Sequence, residues 1–249
     1  MQISKWLLSM LLFLGASAEA RVFDMTKETT AAYFGFTGGT SALGKAAFEN
    51  EAGTSVTYSD EVKYNYTGEF GFLYSRGPMA LRFGLEILKP QSLSGLSGKN
   101  GSTELFTENS DLIGYMPKLG LEFNLKKTNI FRSFIAGSVG YAALTLKNVY
   151  TLTSAGQTAY PGMDTTMEAK GTGVMYGLSA GAEVLMTDTT TFVFEGGYRL
   201  LSIDNMKYSR SGSYFGSTVN DGDSMQDNGS ARKFDLSGFY LGLSFRFYL

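Results

Sequence analysis

The sequence predicts an all-β protein, an eight-stranded antiparallel up-and-down transmembrane β-barrel, and three observations carry that prediction. Eight segments alternate bulky apolar residues with polar or small ones at a period of two. The connections between them are alternately long and short, as expected of a barrel with short turns on one side of a membrane and long loops on the other. The chain also opens on a stretch with the order of an export signal.

That opening stretch carries Lys5, an apolar run over 6–15, and the small residues Ala16-Ser17-Ala18-Glu19-Ala20. Cleavage is expected after Ala20, leaving residues 1–20 as a signal peptide and 21–249 as the barrel. The apolar run falls well short of the roughly 20 residues that a membrane-spanning helix needs. No later stretch approaches that length, so a membrane-spanning role falls to a closed barrel. The 31 glycines, 15 tyrosines and 19 phenylalanines against 4 prolines suit a β protein rich in aromatics.

The first strand, 29–39, sets Phe34 and Phe36 against Tyr33, Gly35 and Thr37. The second, 60–74, is the clearest: Tyr64, Tyr66, Phe70, Phe72 and Tyr74 oppose Lys63, Asn65, Thr67 and Glu69. A Ser75-Arg76-Gly77-Pro78 turn leads into the third, 79–89, where Leu81, Phe83, Leu85 and Ile87 oppose Arg82, Gly84 and Glu86. In the fourth, 111–125, Ile113 to Leu125 alternate with Gly114, Lys118 and Glu122, and Pro117 predicts a bulge or a break in the ladder. The fifth, 130–146, alternates less cleanly, with Ile135, Val139 and Tyr141 on one face. The sixth, 170–186, and the seventh, 190–203, place Glu183, Glu195 and Arg199 on their polar faces. The eighth, 233–249, sets Phe239, Leu241, Leu243, Phe245, Phe247 and Leu249 against Tyr240, Gly242, Ser244, Arg246 and Tyr248. The long loops are then 40–59, 90–110, 147–169 and 204–232. A further pair of strands hidden in one of them stays open.

A soluble barrel of lipocalin type closes in the same way with its apolar face inside. The bulky, uniform aromatic faces fill a lipid-facing surface better than a tapering interior, and the glycines on the polar faces make room in a narrow lumen. On these residues the chain resembles the small outer-membrane barrels of the OmpA transmembrane-domain and OmpX type. The likeness is one of architecture over 21–249, and it is most specific in the closing strand, although Leu249 stands where that family usually ends on phenylalanine. The resemblance implies residence in a Gram-negative outer membrane, contact with outer-membrane lipid, and recognition by the barrel-assembly machinery.

Composition excludes several functions. Lys and Arg number 21 and Asp and Glu 23, and removal of Lys5 and Glu19 leaves the net charge at −2, so nucleic acid is not an expected partner. The chain has no cysteine and no histidine, which removes thiolate chemistry, the commonest general base and the commonest transition-metal ligand. No enzyme activity, cofactor or metal is expected. The acidic stretch 220–227 reads as a solvated loop, because Met225 occupies what would be an oxygen-donating position of a calcium loop.

Two groups of residues remain as candidate sites. The inward-facing charges are Glu69, Arg82, Glu86, Lys118, Glu122, Glu183, Glu195, Arg199 and Arg246. In so narrow a lumen they are expected to pair, Glu69 with Arg82 among them, either as a polar plug or as the lining of a narrow, gated path for ions or small solutes. The last long loop carries Tyr208, Arg210, Tyr214 and Phe215 beside Asp221, Asp223 and Asp227, a mixture suited to contact with a surface ligand or partner protein, or else a solvated loop. It is expected to be dispensable for folding. The functional expectation is a structural or surface-interaction role through the outer loops, with a narrow porin-like channel as the alternative.

Overall fold

The structure, a computed structural model, describes residues 23–48, 55–227 and 230–249. The expected signal peptide lies outside the described residues. Eight long strands form the ring: β1 Thr30–Gly44, β2 Val62–Arg76, β3 Met79–Pro90, β4 Thr103–Lys127, β5 Phe131–Leu152, β6 Thr166–Leu185, β7 Thr190–Ile203 and β8 Gly238–Tyr248. Each pairs antiparallel with the next. β8 closes on β1 from Ala31↔Tyr248 to Gly39↔Tyr240. The further strands of the long loops, among them Val56–Tyr58 and Leu93–Asn100, lie outside this ring.

The wall is inside out relative to a soluble protein. Phe36, Phe72, Leu178 and Phe239 are 57–73% exposed on the outer surface, whereas Glu122, Glu183 and Arg246 inside are fully buried. Only a lipid solvent stabilises that arrangement, and the chain is a transmembrane barrel.

Strand length departs from the sequence reading, and β4 shows why. It begins at Thr103 rather than 111, and at 25 residues runs about 80 Å, far more than a tilted crossing of a ~30 Å hydrocarbon layer requires. Along it the polarity inverts. From Leu125 back to Tyr115 the outward side chains are apolar and the inward ones include Glu122 and Lys118; from Asp111 back to Thr107 the outward ones are polar, while the inward side of this upper part is mixed, with Leu112 and Phe106 beside the buried Ser110 and Glu108. The outer membrane surface therefore crosses β4 between Ile113 and Asp111. β5 likewise runs on to Leu152, with Lys147 outward and Leu144, Leu146 and Tyr150 inward.

Pro117 produces no bulge. The ladder to β5 omits Met116 and Pro117 but keeps its register from Tyr115↔Ala143 to Lys118↔Gly140, and the shift falls instead between Asn124 and Lys126. The β2–β3 turn is a two-residue connection in which Gly77, at φ 59°, takes a conformation costly to other residues.

Both ends of the ring are filled. At the end with the short turns, residues 23–28 fold under the barrel: Met25 donates its N–H to the Asn129 carbonyl at 3.1 Å, and Phe23 meets Tyr248 edge-on at 5.4 Å. They pack with Ala31, Tyr33, Leu73 and Ala80. Asp24 accepts from the hydroxyl and amide of Thr26, which hold its carboxyl below the usual range. At the other end the long loops close over an apolar core that includes Phe48, Tyr58, Leu96, Phe106, Leu144, Tyr150, Met167, Met206 and Phe234. A short helix, α1 Ser154–Ala159, joins this roof, with Thr153 Oγ1 accepting from Gly156 N at 3.1 Å as its N-cap.

An expected result follows from the inverted wall. The refolded protein will need detergent for solubility, show a β-type circular dichroism spectrum, and migrate differently on gels before and after boiling. Full solubility without detergent would overturn the lipid-facing assignment.

Candidate functional site

The nine inward charges of the sequence reading meet in one continuous network, and a tenth, Arg132, joins them. Near the short-turn end, Glu122 and Glu183 share two guanidinium groups. Arg132 donates to Glu183 Oε2 through Nε at 2.9 Å and Nη2 at 2.5 Å, and to Glu122 Oε2 at 2.9 Å. Arg246 donates to Glu183 Oε2 at 2.9 Å and to Glu122 Oε1 at 2.6 Å. Both guanidinium groups lie over the Phe134 ring, at 5.2 and 5.4 Å from its centre. Glu183 Oε1 accepts from the hydroxyls of Thr191 and Tyr248 at 2.5 and 2.8 Å.

Arg82 links this tier to the next, donating to Glu195 Oε2 at 2.8 Å and to Glu122 Oε1 at 3.4 Å. Its contact with Glu69, the partner expected from the sequence, is a looser 3.8 Å. Register explains the difference. Arg82 faces Leu73, four residues from Glu69, and Glu69 stands directly opposite Glu86. Lys118 relieves that like-charge pair by donating to both carboxylates, to Glu86 at 2.8 Å. Arg199 pairs with Glu86 at 2.7 Å, Tyr33 donates to Glu69 at 2.6 Å, and Tyr240 donates to Glu195 at 3.0 Å.

Five carboxylates thus meet five cations across seven strands. The space left between Tyr33, Glu69, Arg82, Glu86, Lys118 and Tyr240 is about 40 Å³, room for little more than a water molecule.

The last long loop presents a second site with a different character from the one expected. Tyr214 and Phe215 do not project into solvent. Tyr214 is buried and donates its hydroxyl to the Thr166 carbonyl at 2.8 Å; Tyr208, half-buried, stacks on it at 6.1 Å and 10°. The hairpin of Gly212–Tyr214 and Ser217–Val219 turns through Phe215 and Gly216, both at positive φ. Phe215 sits at φ 52°, a costly conformation for an aromatic residue, and its ring lies 5.1–5.3 Å from Phe106, Tyr150 and Tyr160. The physical reason for the correction is the apolar roof beneath the loop, whose rings Phe106, Tyr150 and Tyr160 receive Phe215. Arg210, Asp221 and Asp223 stay exposed; of Asp227 the structure describes the backbone alone, in a short strand with Ser230–Ala231. Between this hairpin and that strand pair lies a pocket of about 530 Å³, lined by Met167, Tyr208, Tyr214, Phe215, Asp223 and Arg232 among others.

No protein-family model matches this sequence, and no curated protein matches it. Solved structures of outer-membrane proteins are similar to it. The chain shares 14% identity with the outer membrane protein OprG from Pseudomonas aeruginosa, at a TM-score of 0.45 over 92% of this chain and 100% of that one. It shares 12% with Ail, the attachment invasion locus protein of Yersinia pestis, at 0.43 over 88% and 99%. It shares 9% with the outer membrane protease OmpT from Escherichia coli, at 0.36 over 94% and 100%. None of the three lends this chain an activity.

Sequence reasoning missed Arg132 and the three lumen tyrosines. A signal for Arg132 existed. Ile135, Val139 and Tyr141 mark the outward parity of β5, which turns Arg132 inward, and the nine-member set was one cation short of neutrality.

Proposed function

We propose that this chain is a non-catalytic outer-membrane anchor whose folded outer loops are the working surface, exported by residues 1–20 and assembled through its closing strand by the barrel-assembly machinery. The observation that carries this reading is the filled lumen: ten paired charges inside, residues 23–28 beneath and an apolar roof above. A conducting path would have to break several buried ion pairs and open the roof, each a cost of several kcal/mol, roughly. Engagement of the five carboxylates of the network with cations also leaves none of those five placed as a free acid or base. The lipid-facing aromatics hold the barrel in the bilayer, and the loop end carries the pocket and the exposed charges.

The test joins two measurements on the refolded protein. In planar bilayers it will show no discrete conductance at modest voltage, and vesicles carrying it will capture surface ligands that vesicles carrying a loop-shortened barrel do not. Stepwise conductance would favour the narrow channel instead, and equal capture by both kinds of vesicle would remove the loop role.

A further inference from the structure

The pocket under the last loop is built from two kinds of group that a barrel roof alone does not require together. One side is aromatic and apolar: the parallel rings of Tyr208 and Tyr214, with Met167, Phe215 and Val219. The other is polar and carries planar groups of both signs: the Asp223 carboxylate, the Gln226 amide and the Arg232 guanidinium, with the hydroxyls of Ser217 and Ser224.

These groups are held in place. Asp223 Oδ2 accepts from Asn220 N at 2.8 Å, and the Asp223 carbonyl accepts from Tyr208 N at 2.9 Å. Arg232 donates its backbone N–H to the Met225 carbonyl at 2.8 Å, and its guanidinium reaches the Gln226 carbonyl at 3.5 Å. Tyr214 is fixed by its bond to Thr166. A site organised before binding spends little on ordering itself.

The lining discriminates among ligand classes. A wholly apolar ligand would take water from the exposed Asp223 and Gln226 without replacing its hydrogen bonds. An anion would meet Asp223, and a cation would meet Arg232. A neutral polyhydroxylated ring offends neither. Its C–H face lies on an aromatic ring, and each hydroxyl both donates and accepts, so one ring can satisfy a carboxylate, an amide and a guanidinium together. The volume of about 530 Å³ lies within the range of small-molecule sites and holds one or two such rings. The geometry points to a binding site for a neutral saccharide, the terminal one or two sugar units of a glycan. The assignment rests on the surface-interaction reading above and names the ligand class.

The test uses the detergent-folded protein on an immobilised array of neutral oligosaccharides ending in glucose, galactose, mannose or N-acetylglucosamine, beside sialylated and sulfated glycans. At least one neutral terminus will bind. Tyr208→Ala and Asp223→Ala will each weaken that binding about 10–100-fold, whereas Asp221→Ala, outside the pocket, will leave it within about threefold. Hydrogen-exchange protection of the roof amides in 103–110 and 149–152 checks that each variant keeps its folded roof, and if Tyr208→Ala fails that check, Gln226→Ala replaces it with the same expected loss. Silence on the whole array overturns the assignment. So does binding confined to sialylated or sulfated glycans, or neutral binding that the pocket variants leave unchanged. If the array is silent while vesicles still capture a partner through the loops, the saccharide site alone has failed; if the loop-shortened barrel captures equally well, the surface-interaction reading has failed.

Discussion

Arg132→Ala will destabilise the folded barrel by about 3–5 kcal/mol, measured by urea unfolding in detergent micelles or lipid vesicles. Arg132 is almost wholly buried and bonds two fully buried carboxylates, Glu122 and Glu183. Its removal leaves Glu183 with Arg246 as its cation and Glu122 with Arg246 and the longer 3.4 Å bond from Arg82, and the two terminal nitrogens of Arg246 already serve both carboxylates. The cost is therefore that of a stranded negative charge more than of one lost contact. Adding Glu183→Gln removes one unit of that charge while keeping the side-chain shape, so the double variant will be more stable than Arg132→Ala alone. Higher in the lumen the same logic ranks partners. Arg82 is bonded to Glu195 at 2.8 Å but lies 3.8 Å from Glu69. A double-mutant cycle will give a larger coupling for Arg82 with Glu195 than with Glu69. A loss below about 0.5 kcal/mol for Arg132→Ala, the level of an ordinary surface change, would show that the network is not load-sharing in the way its geometry implies.

The membrane-embedded half of this fold was legible because bilayer and lumen impose one rule on every strand. Phe70 must face out and Glu69 in, and a period of two with constant polarity reports both. The short turns at Gly77 and after Lys127 were legible for a similar reason, since they break the alternation at once. Above the bilayer the rule reverses. Leu112 and Phe106 point inward where Lys118 and Glu122 do lower on the same strand, so a reading that equates inward with polar stops near Asp111 and calls the remainder a loop. The same inversion hid the role of Tyr214 and Phe215, which looked like exposed contact groups only because the apolar roof that receives them was not seen. The expected Glu69–Arg82 pair forms only as a loose 3.8 Å contact because of register: a one-face pattern says that two residues are inward without saying how far apart along the axis they stand. Nor does any local pattern announce that residues 23–28 fold back beneath the barrel, since Met25 finds its place only against the Asn129 turn.

Replacing residues 207–227 with a short glycine-serine linker will leave the barrel assembled but unfold its roof, which revises the expectation that this loop is simply dispensable. Loop length itself contributes little, because closure entropy changes slowly with the number of residues. Packing contributes much more. The replacement takes Tyr208, Tyr214, Phe215, Val219 and Met225 from the apolar cluster and uncovers Phe106 and Tyr150. The lumen charges lie outside that cluster, so heat-modifiable migration will persist. Backbone amides in 103–110 and 149–152, by contrast, will lose hydrogen-exchange protection by about 100-fold or more, the change expected when some 3 kcal/mol of local stability is removed. A single residue separates the contributions further. Phe215→Ala keeps the unfavourable backbone at φ 52° and loses three ring contacts, a cost of about 2–4 kcal/mol for a half-buried ring. Phe215→Gly loses the same contacts but relieves about 1 kcal/mol of backbone strain, so it will protect the roof better than alanine does. Unchanged protection in the loop replacement would mean that the roof is held by β4 and β5 alone. Greater damage from glycine than from alanine would mean that the hairpin relaxes out of the left-handed conformation once the ring is gone.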